Sequence, residues 1–339
     1  LGIPGRLAQS AAANITVIPI QLLREWLVDE ARDGLFDDME QCFQAFASWA
    51  IDRIVAMGVE RAGSYEAMAD DQPTPFTSAL MRASAAAGRD LHACQSYPIA
   101  CAYERGTTNA INALAAIERV VFEAGSATLD AVAAALEGDF AEAPDLCERL
   151  ATAPKFGNDD DRVDRWAAKL SQMRQAALDR LRRDHGLPAM LICHVIRSLH
   201  RLTGSQLGAT PDGRRAAQPI ADSIGAEVGT ALEGPTAMLN SVLKLDAARY
   251  YAGGTNLNLT LAPGSAEPTV VRALVEAFFA GGGQEIQIAT LDLPTLRDAR
   301  QHPEKYRDLV VRIAGFNALW CKLSDAEREE LIARAATAF

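Results

Sequence analysis

Apolar residues in the first half of the chain recur at intervals of three and four, the spacing that places them on one face of a helix. The longest such pattern covers residues 37–59 and predicts a single amphipathic helix. Its apolar positions are Met39, Phe43, Phe46, Trp49, Ile51, Ile54 and Val55. Aromatic residues at this spacing are typical of a core, and we interpret them as core residues rather than as a cofactor site.

Shorter helical patterns follow, separated by residues that start or stop helices. They are expected at residues 75–87, 107–123 and 128–138, and from Pro144 onward. Pro75 and Pro144 suit the first turn of a helix, where the missing amide hydrogen has no partner to lose. Residues 92–105 show neither the helical nor the strand period, so we expect irregular structure there.

From residue 187 onward the pattern alternates between strand and helix. Strands are expected at residues 187–196, 256–261, 285–291 and 309–314, and helices at 267–280, 294–301 and after Ser324. Turn residues dominate 204–213, which predicts a loop. Strands that alternate with helices predict parallel pairing through crossover helices, and therefore an α/β fold.

A glycine interrupts the last strand pattern. The run reads Val310-Val311-Arg312-Ile313-Ala314-Gly315-Phe316. Taken alone, a glycine in a strand pattern indicates a bend or a bulge. The alternative is a backbone presented for chemistry, because a residue without a Cβ leaves its Cα open to a partner.

An acidic run and the cysteines are the remaining candidates for metal chemistry. Consecutive carboxylates, as in Asp159-Asp160-Asp161, cannot all face one ion, whereas Asp residues before a helical pattern stabilise its first turn. We therefore interpret this run as a helix cap and predict no metal. The six cysteines form no Cys-x-x-Cys pair, so they indicate neither a disulfide framework nor a zinc or iron–sulfur site.

The composition of the 339 residues is that of a globular protein, with 49% hydrophobic and 23% charged residues. A net charge of −11 argues against nucleic acid or an anionic membrane as a partner. The sequence contains neither an apolar run of the roughly 20 residues that span a bilayer nor a signal-peptide pattern at its start. We expect a cytoplasmic protein.

The run around Gly315 resembles the C-terminal signature of the glycyl radical enzymes, Arg-Val-(Ala/Ser)-Gly-(Tyr/Phe), with Ile313 in place of Val. Thr210-Pro211-Asp212-Gly213-Arg214-Arg215-Ala216 resembles the family's Thr-Pro-Asp-Gly-Arg-(Lys/Arg)-Ala turn. Further similar stretches, in the family's order, are residues 73–76, 112–117, 154–161, 234–242 and 302–309.

The resemblance implies the glycyl radical barrel, an α/β fold in which parallel half-sheets are surrounded by helices and enclose a buried Gly loop. It assigns residues 1–210 to the mostly helical C-terminal part of a pyruvate formate-lyase-like domain, and 211–339 to the glycine radical domain. It implies that Gly315 stores the radical, supported by Arg312, Ala314 and Phe316. A radical S-adenosylmethionine activating enzyme would install this modification, and no cofactor would be bound. The other implied partners are a small-molecule substrate and a second copy in a homodimer.

In the dehydratase and lyase branches the radical passes to a Cys in a Gly-Cys-x-Glu motif, which this sequence lacks. Because the chain begins without Met, at a stretch that resembles the sequence shortly after that Cys, we expect the C-terminal part of a longer protein. The catalytic Cys would lie upstream of Leu1. Cys101, three residues before Glu104, and Cys321 are interpreted as packing residues.

Ala314, before the glycine, favours the diol dehydratase and choline trimethylamine-lyase relatives. The resemblance then implies C–O or C–N bond cleavage of a small polar substrate. Two alternatives stay open: a formate C-acetyltransferase (pyruvate formate-lyase), and a non-catalytic accessory protein of the radical-domain type. The sequence does not name the substrate.

Overall fold

The computed structural model describes residues 8–9, 14–31, 36–94, 97–98, 100–187, 190–194, 199–313 and 316–339, without the side chains of 8–9, 63–69 and 97–98. The strands are β1 (Ala8–Gln9), β2 (Ile15–Val17), β3 (Tyr97–Pro98), β4 (Ala100–Glu104), β5 (Met190–His194), β6 (Gly254–Thr255), β7 (Leu257–Leu261), β8 (Ile286–Thr290), β9 (Val310–Arg312) and β10 (Asn317–Leu319). The helices are α1 (Pro19–Asp29), α2 (Met39–Asp71), α3 (Pro75–Leu80), α4 (Arg82–Ala87), α5 (Thr107–Ile117), α6 (Leu129–Glu137), α7 (Pro144–Ala151), α8 (Asp161–His185), α9 (His200–Ser205), α10 (Gly234–Leu243), α11 (Ala247–Tyr250), α12 (Pro268–Ala280), α13 (Leu293–Gln301) and α14 (Asp325–Ala336).

A parallel sheet organises the first two thirds of the chain. Its strands lie in the order β2-β4-β5-β6, and each pair runs parallel. Ala102 lies opposite both Ile15 and Ile192, and all three are buried in the core that the sheet shares with α1, α5 and α8. The predicted α/β class, with a parallel sheet and surrounding helices, is confirmed.

Helix α5 lies in the interior of the protein. All of its residues are buried, and a π-helical segment, Glu118–Glu123, extends it. Helix α2 packs on α8 where Gly58 meets Leu181, because a Cβ at Gly58 would lie 2.6 Å from a Leu181 methyl group. A small residue at this point lets the two helices approach closely.

The last third contains the predicted crossover and also a hairpin. Strands β7 and β8 pair in parallel, and α12 connects them. Strands β9 and β10 pair antiparallel, with Val311 opposite Ala318. The strand expected at 309–314 is therefore one arm of a hairpin rather than another strand of a parallel sheet.

Four expectations for local structure were wrong in extent or kind. Helix α2 continues to Asp71 instead of ending near Val59, and the helix expected at 75–87 is divided into α3 and α4 at Met81, which is extended. Residues 92–105, expected to be irregular, contain strand β4, which is mostly buried and does not alternate between buried and exposed residues. Gly204, expected in a loop, lies in α9.

Most of the buried apolar residues that the structure describes belong to one of two clusters. The main core runs from Ile15 to Phe278 and includes the parallel sheet. The second core consists of Ala289, Leu291, Leu296, Ala299, Val311, Trp320, Leu323, Leu331 and Ala335. Among the residues described, no helix has both the length and the apolar character needed to cross a bilayer.

Candidate functional site

The two strands of the β9–β10 hairpin flank the candidate radical residue in the sequence. The Ile313 amide donates a hydrogen bond to the Phe316 carbonyl at 3.1 Å, and the Trp320 amide donates to the Leu309 carbonyl at 2.8 Å. Ile313 and Phe316 are therefore held together at the ends of these antiparallel strands. Ala314 and Gly315, which follow Ile313 in the sequence, lie outside the described residues.

Arg312 and Phe316 are the predicted supporting residues of the radical loop that the structure describes. Arg312 is half-buried, and its Nη1 donates a weak hydrogen bond to Asn317 Oδ1 at 3.5 Å. Phe316 is 53% exposed. Neither the hydrogen bond of Arg312 nor the exposure of Phe316 tests the roles that the sequence assigned to these two residues. Those roles stay predictions.

Helix α14 holds the hairpin through a buried arginine. Arg334 Nη1 donates to the Ile313 carbonyl at 2.7 Å, and the same atom lies 3.8 Å from Asp222 Oδ2. The helix begins with a capping box, in which Ser324 and Glu327 each bond the backbone of the other. The Arg334 guanidinium therefore joins the hairpin, through the Ile313 carbonyl, to the segment that contains Asp222.

A second contact joins α14 to α9. His200 Nε2 lies 3.0 Å from Glu330 Oε2, and Arg201 Nη1 lies 3.7 Å from the same oxygen. Burial opposes ionisation of Glu330, but His200 and the neighbouring arginines outweigh burial and lower its pKa. Glu330 is therefore an ionised carboxylate between two basic side chains.

Two cavities lie on either side of the His200–Glu330 contact. The larger, of about 590 Å³, lies between α9, residues 218–228 and α14. The smaller, of about 320 Å³, is lined by Ile313 and by the part of α14 near Ser324. The region between α9 and α14, next to Ile313, thus contains enough space for a small molecule.

Glu227 lines the larger cavity in an environment that disfavours its charge. Burial raises the pKa of Glu227 to about 7, and nearby Asp212 acts in the same direction, while Lys155 and Arg214 oppose this shift. Its Oε2 accepts a long hydrogen bond from Asn112 Nδ2 at 3.5 Å. Near neutral pH the carboxyl group is therefore able both to hold and to release a proton.

Polar residues of α5 position the loops behind this cavity. Asn109 donates to Asp212 Oδ2 at 2.7 Å and accepts from the Ala221 amide at 2.8 Å. Thr108 donates to the Gly225 carbonyl at 2.8 Å. The predicted turn at 210–216 is thus hydrogen-bonded at Asp212 to α5, all of whose residues are buried.

A buried ion pair lies at the carboxyl end of β4. Arg174 of α8 donates to Glu104, and both side chains are almost fully buried. Tyr251 adds a hydrogen bond to Glu104 at 3.0 Å. His194, at the end of β5, is also buried, and burial lowers the pKa of its ring to about 4, so it is neutral. Sequence reasoning missed this group because Glu104 lies 70 residues from Arg174 and 147 from Tyr251 along the chain.

The two cysteines weighed in the sequence, Cys101 and Cys321, differ in burial. Cys101 lies on β4 beside Cys193 of β5, and both are buried free thiols. The hydrogen bond from the Cys193 thiol lowers the pKa of Cys101 to about 7, although burial opposes this shift. Cys321 is half-buried, and its thiol donates to the Arg307 carbonyl at 3.4 Å.

The acidic run caps α8, as predicted. Asp160 Oδ1 accepts a hydrogen bond from the Arg162 amide at 3.0 Å. Lys244 Nζ lies 2.7 Å from carboxylate oxygens of both Asp159 and Asp161. These carboxylates are therefore neutralised by a lysine that sequence inspection did not connect to them.

Sequence reasoning also missed Arg334, Glu330 and Glu227. Each is an ordinary charged residue in its local pattern, and its partners lie far away along the chain. His200 lies ten residues before the 210–216 turn, but its hydrogen-bond partner Glu330 is 130 positions away along the chain.

Comparison with known proteins gives matches along most of the chain. The family model "Pyruvate formate lyase-like" matches residues 30–192, and "Glycine radical" matches residues 220–321. The probable dehydratase YbiW of Escherichia coli (strain K12) is 38% identical over 246 residues, which are 68% of this chain and 30% of the relative.

Solved structures match over nearly the whole chain. The glycerol-bound B12-independent glycerol dehydratase from Clostridium butyricum has a TM-score of 0.82 at 25% identity, over 98% of this chain and 44% of that one. A glycyl radical enzyme from Archaeoglobus fulgidus has a TM-score of 0.77 at 23% identity, over 96% and 43%. The chain thus spans less than half the length of these proteins, and the expected barrel fold is confirmed. Since both family segments occur in order and the relatives agree, the chain belongs to the glycyl radical enzymes.

Proposed function

We propose that this chain is the radical-storing part of a dehydratase- or lyase-type glycyl radical enzyme. An activating enzyme of the radical S-adenosylmethionine type removes a hydrogen atom from the Cα of Gly315. The glycyl radical then takes a hydrogen atom from a Cys thiol outside this chain, and the thiyl radical takes one from a small polar substrate, which undergoes C–O or C–N cleavage.

The observation that carries the proposal is the antiparallel pairing of β9 and β10, which flank Gly315 in the sequence, inside the segment that matches the glycine radical model. A radical on a glycine Cα is stabilised when the backbone flattens, which a side chain would hinder. The dehydratase names of the E. coli relative and of the C. butyricum structure support the dehydratase branch.

The proposal also includes the division of the chain and its partners. Residues 1–210 would belong to the pyruvate formate-lyase-like domain, and residues 211–339 would form the glycine radical domain. Arg312, Ala314 and Phe316 would support the radical loop. The protein would associate with its activating enzyme and, as a homodimer, with a second copy.

Electron paramagnetic resonance after anaerobic incubation with an activating enzyme tests this proposal. We expect a doublet, because the unpaired electron on Gly315 couples to the one hydrogen left on its Cα, and we expect backbone cleavage at Gly315 in air. Gly315→Ala should abolish both. Gly264→Ala is the matched control, since a Cβ at Gly264 meets no atom within 4 Å. A doublet that persists in Gly315→Ala would show that the radical resides on another residue.

A further inference from the structure

Two arginines of α14 hold the β9–β10 hairpin at opposite ends. Arg334 Nη1 donates to the Ile313 carbonyl at 2.7 Å, directly after β9. Arg328 Nε donates to the Trp320 carbonyl at 3.2 Å, directly after β10. Because the two strands are antiparallel, these carbonyls lie at opposite ends of the hairpin. The Arg334 contact is at the end that leads to Gly315 in the sequence.

The Arg334 contact is the more shielded of the two. The Arg334 side chain is 7% exposed, whereas that of Arg328 is 22% exposed. A hydrogen bond from a cation to a carbonyl oxygen is strong, and it is strongest where water has little access. Leu331 and Ala335, which flank Arg334 along α14, are buried in the second core, so the helix that carries the guanidinium is fixed. The Ile313 carbonyl is therefore held from a rigid position.

Asp222 connects the same guanidinium to the main core. Its Oδ2 lies 3.8 Å from Arg334 Nη1 and accepts a hydrogen bond from Asn258 Nδ2 at 3.1 Å. Asn258 lies in β7, and its neighbours Leu257 and Leu259 belong to the main core. The contacts from β7 through Asp222 to Arg334 thus fix this end of the hairpin relative to the main core.

Arg328 has local partners instead. Besides its bond to Trp320, its Nη2 donates to the Cys321 carbonyl at 3.3 Å, and its Nη1 donates to Asp325 Oδ1 at 3.1 Å. Asp325 is in the first turn of α14 itself. Arg328 therefore stabilises the hairpin against its own helix, and its contacts within the described residues do not extend to the main core.

The fixed carbonyl of Ile313 limits where Gly315 can lie. The glycine is two positions further along the chain, and a chain spans at most about 3.6 Å per residue. Position matters for a radical, because a hydrogen atom moves only between atoms in close contact, and a displacement of about 1 Å can lower the rate of such a step about 100-fold. A contact that fixes Ile313 therefore influences what a radical on Gly315 can reach.

We propose that Arg334 is a positioning residue for the glycyl radical. Its bond to the Ile313 carbonyl, supported by Asp222, holds the hairpin end that precedes Gly315 in one place relative to the main core. The inference rests on the proposed function, since it assumes that Gly315 carries the radical. It also separates the two arginines: Arg334 affects the radical, whereas Arg328 contributes to the stability of the hairpin alone.

Native-state hydrogen exchange of the unactivated protein tests the geometry. In Arg334→Gln, we expect the Ile313 amide, which bonds the Phe316 carbonyl, to exchange about tenfold faster than in the wild type. The Trp320 amide, at the other end of the hairpin, should keep its rate. Arg328→Gln is the matched control and should show the reverse pattern. An unchanged Ile313 rate in Arg334→Gln would overturn the inference, as would equal acceleration of both amides, because the hairpin would then open as one unit.

Persistence of the radical in the presence of a hydrogen donor tests the function. Mercaptoethanol is added anaerobically to the activated protein: its S–H bond breaks, a C–H bond forms at the Gly315 Cα, and the unpaired electron passes to sulfur. The decay of the paramagnetic doublet thus measures how often the donor reaches the radical. We expect the Arg334→Gln doublet to decay faster than the wild-type doublet by about the factor found for the Ile313 amide, because the same opening exposes both. The Arg328→Gln doublet should decay like that of the wild type.

Arg334→Lys guards against misfolding of the glutamine variant. Lysine keeps a cationic donor without the planar fork of arginine, so its doublet should persist for an intermediate time. Decay at the wild-type rate in Arg334→Gln, or equally fast decay in Arg328→Gln, would overturn the positioning role and leave the proposed function intact. A doublet that persists in Gly315→Ala would instead overturn the proposed function, and the radical role of Arg334 with it.

Discussion

At the residue scale, Glu227 is a carboxyl group whose environment disfavours its charged form. Its pKa of about 7 arises from burial and from the negative charge of Asp212, and the cations of Lys155 and Arg214 compensate only in part. A shift in this direction means that the folded protein holds a proton that the unfolded chain has already released. Stability must therefore depend on pH through this residue.

We predict that Glu227→Gln stabilises the protein at pH 8 but not at pH 4.5. Between about pH 4.5 and 7 the native state binds more protons than the unfolded state, so the free energy of unfolding decreases as the pH rises. A shift from 4.5 to about 7 corresponds to up to about 3 kcal/mol. Glutamine does not ionise and removes this loss. Urea unfolding at the two pH values measures the difference.

Glu142→Gln, at an exposed carboxylate, is the control and should show the same pH dependence as the wild type. If the Glu227 variant also followed the wild type at every pH, the carboxyl group would be ionised and solvated in the native state.

Individual residues were predictable where their partners are close in the sequence. Asp160 and Ser324 cap helices through contacts two or three residues away, and the spacing alone indicates these contacts. The pairs of His200 with Glu330 and of Arg174 with Glu104 join residues 130 and 70 positions apart. In the sequence, a charged residue has many possible partners at that separation. Only the fold determines which of them it pairs with.

At the element scale, α9 depends on a close approach to the loop that follows it. A Cβ at Gly204 would lie 2.2 Å from the Gln218 carbonyl oxygen and 2.7 Å from the Cα of Pro219. Both are backbone atoms, which cannot move aside as a flexible side chain can. The glycine therefore determines how closely α9 and one wall of the cavity lie together.

We predict that Gly204→Ala destabilises the protein by about 1–3 kcal/mol, because the added methyl group would have to displace the backbone at Gln218 and Pro219. The midpoint of urea unfolding should decrease accordingly. Gly138→Ala provides the control, since its Cβ would make only an ordinary contact at 3.7 Å with the Ala134 carbonyl. A Gly204 variant as stable as the control would show that α9 and the loop can separate without cost.

The sequence predicted most elements in the last third but missed β4. Helices and strands at 256–301 alternate with clear breakers, and the structure has them within a few residues of the expected bounds. Strand β4 is covered on both edges by β2 and β5 and is buried over most of its length, so no polar alternation marks it. The antiparallel pairing of β9 with β10 was missed because the pairing direction of β9 is set by the strand that follows it, not by its own residues.

At the scale of the whole molecule, the two cores differ greatly in size. The second core contains nine buried residues and includes Val311 of the hairpin and Leu331 of α14. It joins the rest through the β7–β8 pairing, through backbone bonds of Phe339 with Thr260 and Ala262, at 3.2 and 2.7 Å, and through the side-chain contacts of α14 described above. A small core opens at a lower free energy than a large one.

We predict that the hairpin exchanges its amide hydrogens faster than α5. The Trp320 amide, bonded to Leu309 across the hairpin, should show a lower protection factor than the Ile117 amide in native-state hydrogen exchange. Equal protection at the two positions would mean that both cores open only together, in global unfolding.

The order β2-β4-β5-β6 has a consequence for synthesis of the chain on the ribosome. Each strand of this sheet after β2 docks beside a strand made earlier, so assembly can proceed without waiting for a later neighbour. Roughly 85 residues separate β2 from β4 and β4 from β5, which at ribosomal speed corresponds to roughly 4 to 17 seconds. During each interval the newest strand presents an unpaired edge, and this is when a nascent chain is most exposed to aggregation.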